Sequence, residues 1–247
     1  MKKLLLLFVA AICIISCEFT ERIYLSESGA VRYENEVNFS DMMPIAYSDK
    51  VKDSLRLIGE FPVDTVMSFT GMESFMDGLK QDSLNDAQKE FMKSLDKMKV
   101  RMVTNDDEGK IIIFLEEKNI NGLNAYFDEI KAAATELERK DGESAKDLID
   151  RGMFNMLELK YDGKKFERMS KNEPISPEEW DDSTAESTRQ MMSMFKYKLE
   201  YHFPKRIKST SIGGATYSLD GKTMTLEVPI MDALEHPEKY NFTVEFE

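Results

Sequence analysis

The chain has 247 residues, with 33 Lys and Arg against 46 Asp and Glu, so its formal net charge is −13. A surface that acidic is repelled by phosphate backbones and by anionic headgroups, which excludes nucleic acid as a partner. The length lies within the range of one large domain, and beyond the first residues no apolar run is long enough to span a bilayer.

The N-terminus is read first. Met1 to Ser16 opens with Lys2 and Lys3 and continues through the apolar run Leu4 to Ile15. This is the layout of a secretory signal peptide, and Glu18, Glu21 and Arg22 interrupt the run too early for a transmembrane helix. The closing residues Ile14-Ile15-Ser16-Cys17 resemble the lipobox of bacterial lipoproteins. The resemblance implies cleavage before Cys17, which would carry a thioether-linked diacylglycerol and an acylated amine. It also implies the bacterial cell envelope as compartment, with the outer membrane as the expected address. Residues 1–16 are therefore read as a leader, 17–22 as a short lipid-anchored tether and 23–247 as a single domain. Loss of the leader removes Lys2, Lys3 and no acid, so the remainder is more acidic still. Cys13 leaves with the leader and Cys17 is consumed by lipid, so no disulfide is expected and a hydrophobic core must hold the domain.

From Ile23 the pattern is that of strands. Ile23 and Leu25, then Val31, Tyr33, Val37 and Phe39, recur at spacing two, while Arg32, Glu34, Glu36 and Asn38 take the other face; Ser26 to Gly29 is turn-like. This predicts a β-hairpin with one wet side. Val51, Leu55 and Ile58 fit a short amphipathic helix ended by Gly59 and Pro62, and Val63 to Phe69 a short strand. Ser83 to Met98 reads as a helix with Leu84, Phe91, Leu95 and Met98 on one side. A hairpin follows, with strands Val100 to Thr104 and Lys110 to Glu117; Ile111 to Leu115 is apolar on both faces, so that strand should be central and covered on both sides.

Asn121 is placed to cap a helix that carries Leu123, Tyr126, Phe127, Ile130, Ala134 and Leu137. Asp162-Gly163 joins strands Phe154 to Tyr161 and Lys164 to Met169 in a two-residue turn. Ser170 to Asp182 reads as a loop, Ser183 to Phe195 as a helix, and Tyr197, Leu199, Tyr201 and Phe203 alternate in a strand stopped by Pro204. Strands at Ile207 to Ile212, Ala215 to Leu219 and Thr223 to Val228 follow, the last two joined by Asp220-Gly221. Pro229 to Tyr240 is a short helix or loop, and Tyr240 to Phe246 alternates again. Strands interspersed with a few helices, without a βαβ rhythm, predict an α+β fold. It should be a mostly antiparallel β-sheet built from hairpins, with several amphipathic helices packed on it.

Several stretches resemble a family of uncharacterised lipoproteins from Bacteroidota-type bacteria. They are the lipobox cysteine, Gly29 to Glu34 leading to Phe39 to Met43, Tyr161 to Phe166, Tyr201 to Lys208, Leu219 to Thr223 and the closing Pro229 to Glu247. The resemblance implies a compartment and a domain shape; the family has no assigned chemistry, so no residue role comes with it. Four tripeptides also resemble the O-glycosylation motif such bacteria use on exported proteins, with acceptors Ser54, Thr65, Ser83 and Ser183.

No catalytic constellation is found. The acids Asp106-Asp107-Glu108, Glu116-Glu117, Glu178-Glu179 and Asp181-Asp182 fall on turns and polar segments, where carboxylates are ordinarily solvated. The first run lacks the stepped ligands and central Gly of a calcium loop. His202 sits on the polar face of its strand and His236 precedes Pro237; neither has a Glu-x-x-His partner or a Gly-x-Ser-x-Gly elbow. Gly213-Gly214 lacks the rest of a phosphate loop. Methionine clusters at Met42-Met43 and Met191-Met192-Met194 have thioethers that suit copper(I), but no His or Cys is near and core filling accounts for them. The basic run Lys205-Arg206-Ile207-Lys208 could meet anionic headgroups, though a solvated strand end explains it as well.

The expectation is a non-enzymatic envelope module with no metal and no cofactor, held to a membrane through Cys17, with an envelope protein or glycan as partner. The alternative is a lipoprotein binding a small apolar or glycan ligand through Tyr197, Tyr201, Phe203 and Trp180. A hydrolase stands third, and would gain if His202 or His236 met carboxylates.

Overall fold

The computed structural model describes residues 18–71, 85–141, 156–175, 189 and 195–247. Within them the chain is α+β and mostly sheet, in two sheets of eight and four strands. The larger has the order β10-β11-β8-β1-β2-β5-β4-β3. Its strands are β1 (Glu18–Leu25), β2 (Val31–Asn38), β3 (Val63–Ser68), β4 (Lys99–Thr104), β5 (Gly109–Glu117), β8 (Lys196–His202), β10 (Thr216–Tyr217) and β11 (Thr223–Pro229). The smaller, in the order β6-β7-β12-β9, holds β6 (Leu157–Tyr161), β7 (Lys165–Ser170), β9 (Ile207–Thr210) and β12 (Phe242–Phe246). Apart from a single turn at Met43–Ala46, the described α-helices include α1 (Asp49–Leu57), α2 (Asp86–Ser94), α3 (Ile120–Asp141) and α4 (Ile230–Glu235).

The hairpins form where alternation and turn residues place them. Asp162 Oδ1 accepts the backbone N–H groups of Lys164 (2.8 Å) and Lys165 (2.7 Å), and Gly163 takes a φ of 86°, a left-handed conformation that a residue without Cβ adopts without strain. β5 is central, between β2 and β4. Leu115 faces the core, while Phe114 on the opposite face is covered by the Arg32 guanidinium, 4.1 Å from the ring centroid. α2 starts with a capping box in which Asn85 and Gln88 satisfy each other's backbone N–H groups. The α3 cap is Asn119 rather than the expected Asn121: its Oδ1 accepts the Gly122 N–H at 2.9 Å.

One layer is the eight-stranded sheet. The other is made by α2 and α3 beside the four-stranded sheet, so Leu123, Tyr126, Phe127 and Ile130 join one core with Phe166, Tyr201, Val244 and Phe246. Aromatic pairs stitch the layers, with Phe166 to Phe203 at 5.1 Å, Tyr201 to Phe242 at 5.3 Å and Tyr33 to Phe127 at 5.1 Å between centroids. β6 is an edge strand, and Asn124 of α3 closes that edge by bonding both the C=O (2.8 Å) and the N–H (3.0 Å) of Leu159.

Several expectations are corrected. β1 begins at Glu18, not Ile23, so residues 18–22, read as tether, are strand. Their polar side chains hid the alternation. The outer side of the first hairpin is not wet, because Glu34 and Glu36 are buried under arginine partners. β1 and β8 pair in parallel, the exception among antiparallel pairings of the described strands. The helix expected at Ser183 to Phe195 and the start of the strand at Phe154 lie largely outside the described residues.

Candidate functional site

Successive side chains of β1 point to opposite faces of the sheet, and its two central charges build two different polar sites. On the outer face Arg22 bonds Glu36 of β2 (2.8 Å) and Glu200 of β8 (3.3 Å). Glu200 meets His202 Nε2 at 2.8 Å, and His202 Nδ1 lies 3.1 Å from Thr223 Oγ1 of β11. The imidazole stacks on Tyr24 at 4.4 Å, nearly parallel at 9°. Glu18 and Lys198 pair at 2.6 Å alongside. His202 and Arg22 hold the Glu200 carboxyl below the usual carboxylate range, against the desolvation that burial brings.

A carboxylate accepts only, so a His202 proton faces Glu200 from Nε2, and Nδ1 lies within hydrogen-bond reach of the Thr223 hydroxyl. Hydroxyl, imidazole and carboxylate thus follow one another as in a nucleophile, base and orienting group. Three backbone donors next to Thr223 and His202 are engaged within the protein. Thr223 N–H bonds Ser218 Oγ (2.9 Å), Lys222 N–H bonds Asp220 Oδ1 (3.0 Å), and Phe203 N–H bonds the Lys222 carbonyl (2.9 Å). What the arrangement offers is a histidine oriented by Glu200 and stacked on Tyr24.

On the inner face Glu21 is fully buried and Arg168 of β7 is only 4% exposed. Arg168 Nε and Nη2 reach the Glu21 oxygens at 3.1 and 3.2 Å, and Nη1 donates to the Tyr240 carbonyl at 3.0 Å. Tyr201 accepts from Arg168 Nε at 2.7 Å and donates to Glu21, while Tyr197 donates to the other carboxylate oxygen at 3.0 Å. Burial opposes the charge on Glu21, yet the Arg168 charge and these hydrogen bonds hold its carboxyl below the ordinary range. Burial and the Glu21 charge push the Tyr197 phenol well up. Burial does the same to Tyr201, with the Glu21 charge and hydrogen bond adding to it against the Arg168 charge. This cluster was not anticipated. Its signal was parity: Glu21 shares a face with Ile23 and Leu25, and Arg168 shares one with Phe166.

The remaining candidates are scattered. Cys17, Ser83, Ser183, Trp180, Glu178-Glu179, Asp181-Asp182 and Met191, Met192 and Met194 lie outside the described residues. Ser54 is exposed on α1, its hydroxyl donating to the Lys50 carbonyl at 3.0 Å, and Thr65 is half-buried on the edge strand β3. Tyr201 and Phe203 are core residues, with Tyr201 and Tyr197 committed to Glu21. Asp106 pairs with Arg56 and Lys52, and Glu108 with Lys110. His236 faces Glu238 at 3.7 Å on the surface. Among the described residues no group of three His, Cys, Asp or Glu could hold a metal ion, and no helix is long and apolar enough to cross a membrane. Gly213-Gly214 borders a cavity of about 540 Å³ with Thr216, Glu227, Lys239 and Tyr240. Lys205 to Lys208 follow β8, at the end of the sheet opposite Glu18, roughly 20 Å away along β1. That run therefore does not sit beside Glu18.

No family model and no curated protein matches the chain. Among solved structures, the folded domain of the Mycobacterium tuberculosis protein LppM, determined by NMR, is similar to it at 9% identity, over 94% of this chain and 89% of that one, with a TM-score of 0.38. A superposition at that level transfers neither a partner nor an activity.

Proposed function

We propose that the chain is a lipid-anchored lipoprotein of the bacterial envelope, at the outer membrane, whose domain works by binding an envelope protein or glycan rather than by turnover. The observation that carries this is a junction: Ile14-Ile15-Ser16-Cys17, with the residue pattern of a lipobox, abuts the first residue of a strand at the middle of the larger sheet. Kinship with the Bacteroidota-type lipoproteins is part of the same reading. The engaged backbone donors around Thr223 favour recognition over acyl transfer at the outer face.

Fatty-acid labelling and fractionation of the Cys17→Ser chain test the anchor. Wild type should be labelled and membrane-bound, and the variant unlabelled and released. An unlabelled wild type, or a variant that stays on the membrane, defeats the proposal. A turnover activity abolished by His202→Ala would defeat the binding role. Modification at Ser54 or Thr65 belongs to the proposal too, and intact mass without a glycan increment removes it.

A further inference from the structure

α1 is turned the opposite way from what its periodicity predicts. The stripe Val51, Leu55, Ile58 should face the core, yet only Leu55 is half-buried, Val51 is 42% and Ile58 66% exposed, and the adjoining Leu57 is 89% exposed. Lys52 is the buried residue of the helix instead. The cationic side is what docks. Arg56 clasps Asp106 through both carboxylate oxygens (2.7 and 2.8 Å), Lys52 reaches the same side chain at 3.4 Å, and both cations lie over the Phe61 ring at 5.1 and 6.0 Å. A helix that docks through Lys52 and Arg56 leaves Val51, Leu57 and Ile58 exposed on its outer side, an apolar surface open to a cover.

The register says where that stripe is. Glu18 lies opposite Asn38, Asn38 opposite Lys110, Lys110 opposite Val103 and Val103 opposite Asp64. The β4–β5 turn with Asp106, which holds α1, therefore projects from the end of the sheet at which Cys17 is bonded to Glu18. The lateral offset is two to three strand spacings, roughly 10–15 Å. No linker intervenes, because Cys17 and the first strand residue are one peptide apart, about 3.8 Å between Cα atoms. Acyl chains on Cys17 would bring a bilayer to this end and no other.

We propose that Val51, Leu57 and Ile58 form a second membrane contact, seated at the headgroup–acyl boundary of the bilayer that holds Cys17, so that the domain docks with this end down. The proposal rests on the acylation of Cys17. Helices that expose aliphatic residues at such a boundary add reversible binding to a covalent lipid.

The test uses the full lipidated chain in phosphatidylethanolamine vesicles, with Leu57→Cys carrying an environment-sensitive fluorophore and Leu219→Cys as control. Leu219 is fully exposed and sits in the β10–β11 connection at the opposite end. With Cys17 acylated, the introduced thiol is the free one. The label at 57 should shift to the blue and lose most of its intensity to brominated acyl chains, while the label at 219 should do neither. Val51→Asp combined with Ile58→Asp should abolish that quenching without changing the acyl mass on Cys17; both side chains are exposed, so the fold tolerates the change. A water-like, unquenched label at 57 on a chain whose mass shows the acyl groups overturns the docking and leaves the anchor standing. A blue shift without quenching means a second copy or another protein covers the stripe, and also overturns it. A chain without acyl mass takes both proposals down together.

Discussion

Glu21 and Arg22 are neighbours in one strand and differ in almost everything else. Glu21 points inward, loses its water, and is compensated by Arg168 from the other sheet and by two phenols. Arg22 points outward and is compensated by carboxylates on the two flanking strands of its own sheet. The inner pair ties layer to layer, and the outer one laces strand to strand. Stripping water from an ion costs several kcal/mol even after relaxation, so the fully enclosed inner pair must keep every partner, whereas the outer one, buried on one side only by its own arginine, regains some water when a partner is lost.

The largest expected effect comes from breaking the inner pair. Arg168→Met leaves a carboxylate in the core and should cost about 3–5 kcal/mol in urea unfolding. Adding Glu21→Leu should recover much of that loss; a double variant as unstable as the sum of the singles would show that the two do not act as a unit. Tyr201→Phe, which removes a hydroxyl shared by both ions, should cost about 1–3 kcal/mol. On the outer face Arg22→Ala uncovers the buried Glu36 carboxylate and should cost about 1–2 kcal/mol, and roughly 1 M salt should shrink that difference more than the Arg168→Met one. His202→Ala should be smallest, about 0.5 kcal/mol by the same measurement. If Arg22→Ala proves as damaging as Arg168→Met, the distinction between the faces fails.

The pH dependence sharpens the same contrast. Because the Glu21 carboxyl titrates below its unfolded value near about 4.3, its contribution is present above that pH and is lost only as pH falls through the lower folded value. The Tyr197 and Tyr201 phenols titrate above their unfolded value near about 10, so their contribution is complete below that pH and fades as it rises toward the folded value. Stability measured from about pH 10 upward should fall in wild type and fall less steeply in a Tyr197→Phe, Tyr201→Phe chain.

Hairpins were legible because their information is local. Asp162-Gly163 needs nothing beyond four residues to turn the chain, and the both-faced apolar run Ile111 to Leu115 marks a central strand wherever it lands. The parallel pairing of β1 with β8 was not legible, since it joins segments far apart in the chain with no turn to announce it. α1 shows the opposite failure. Its apolar periodicity was real, but Lys52 and Arg56 dock on Asp106 and Phe61 instead, and of the apolar stripe only Leu55 is half-buried. Glu21 and Arg168 carried a parity signal that polarity masked, because charged residues are ordinarily assigned to water.

By itself the sequence determined the class of fold, the turns and the lipobox-like cysteine, all of which depend on residues within a few positions of one another. Only the tertiary structure decided which charges lose their water, which face of α1 is left uncovered, and that Cys17 adjoins strand rather than tether. Those outcomes depend on partners brought together from distant segments, and burial is a property of the assembled layers rather than of any residue in them.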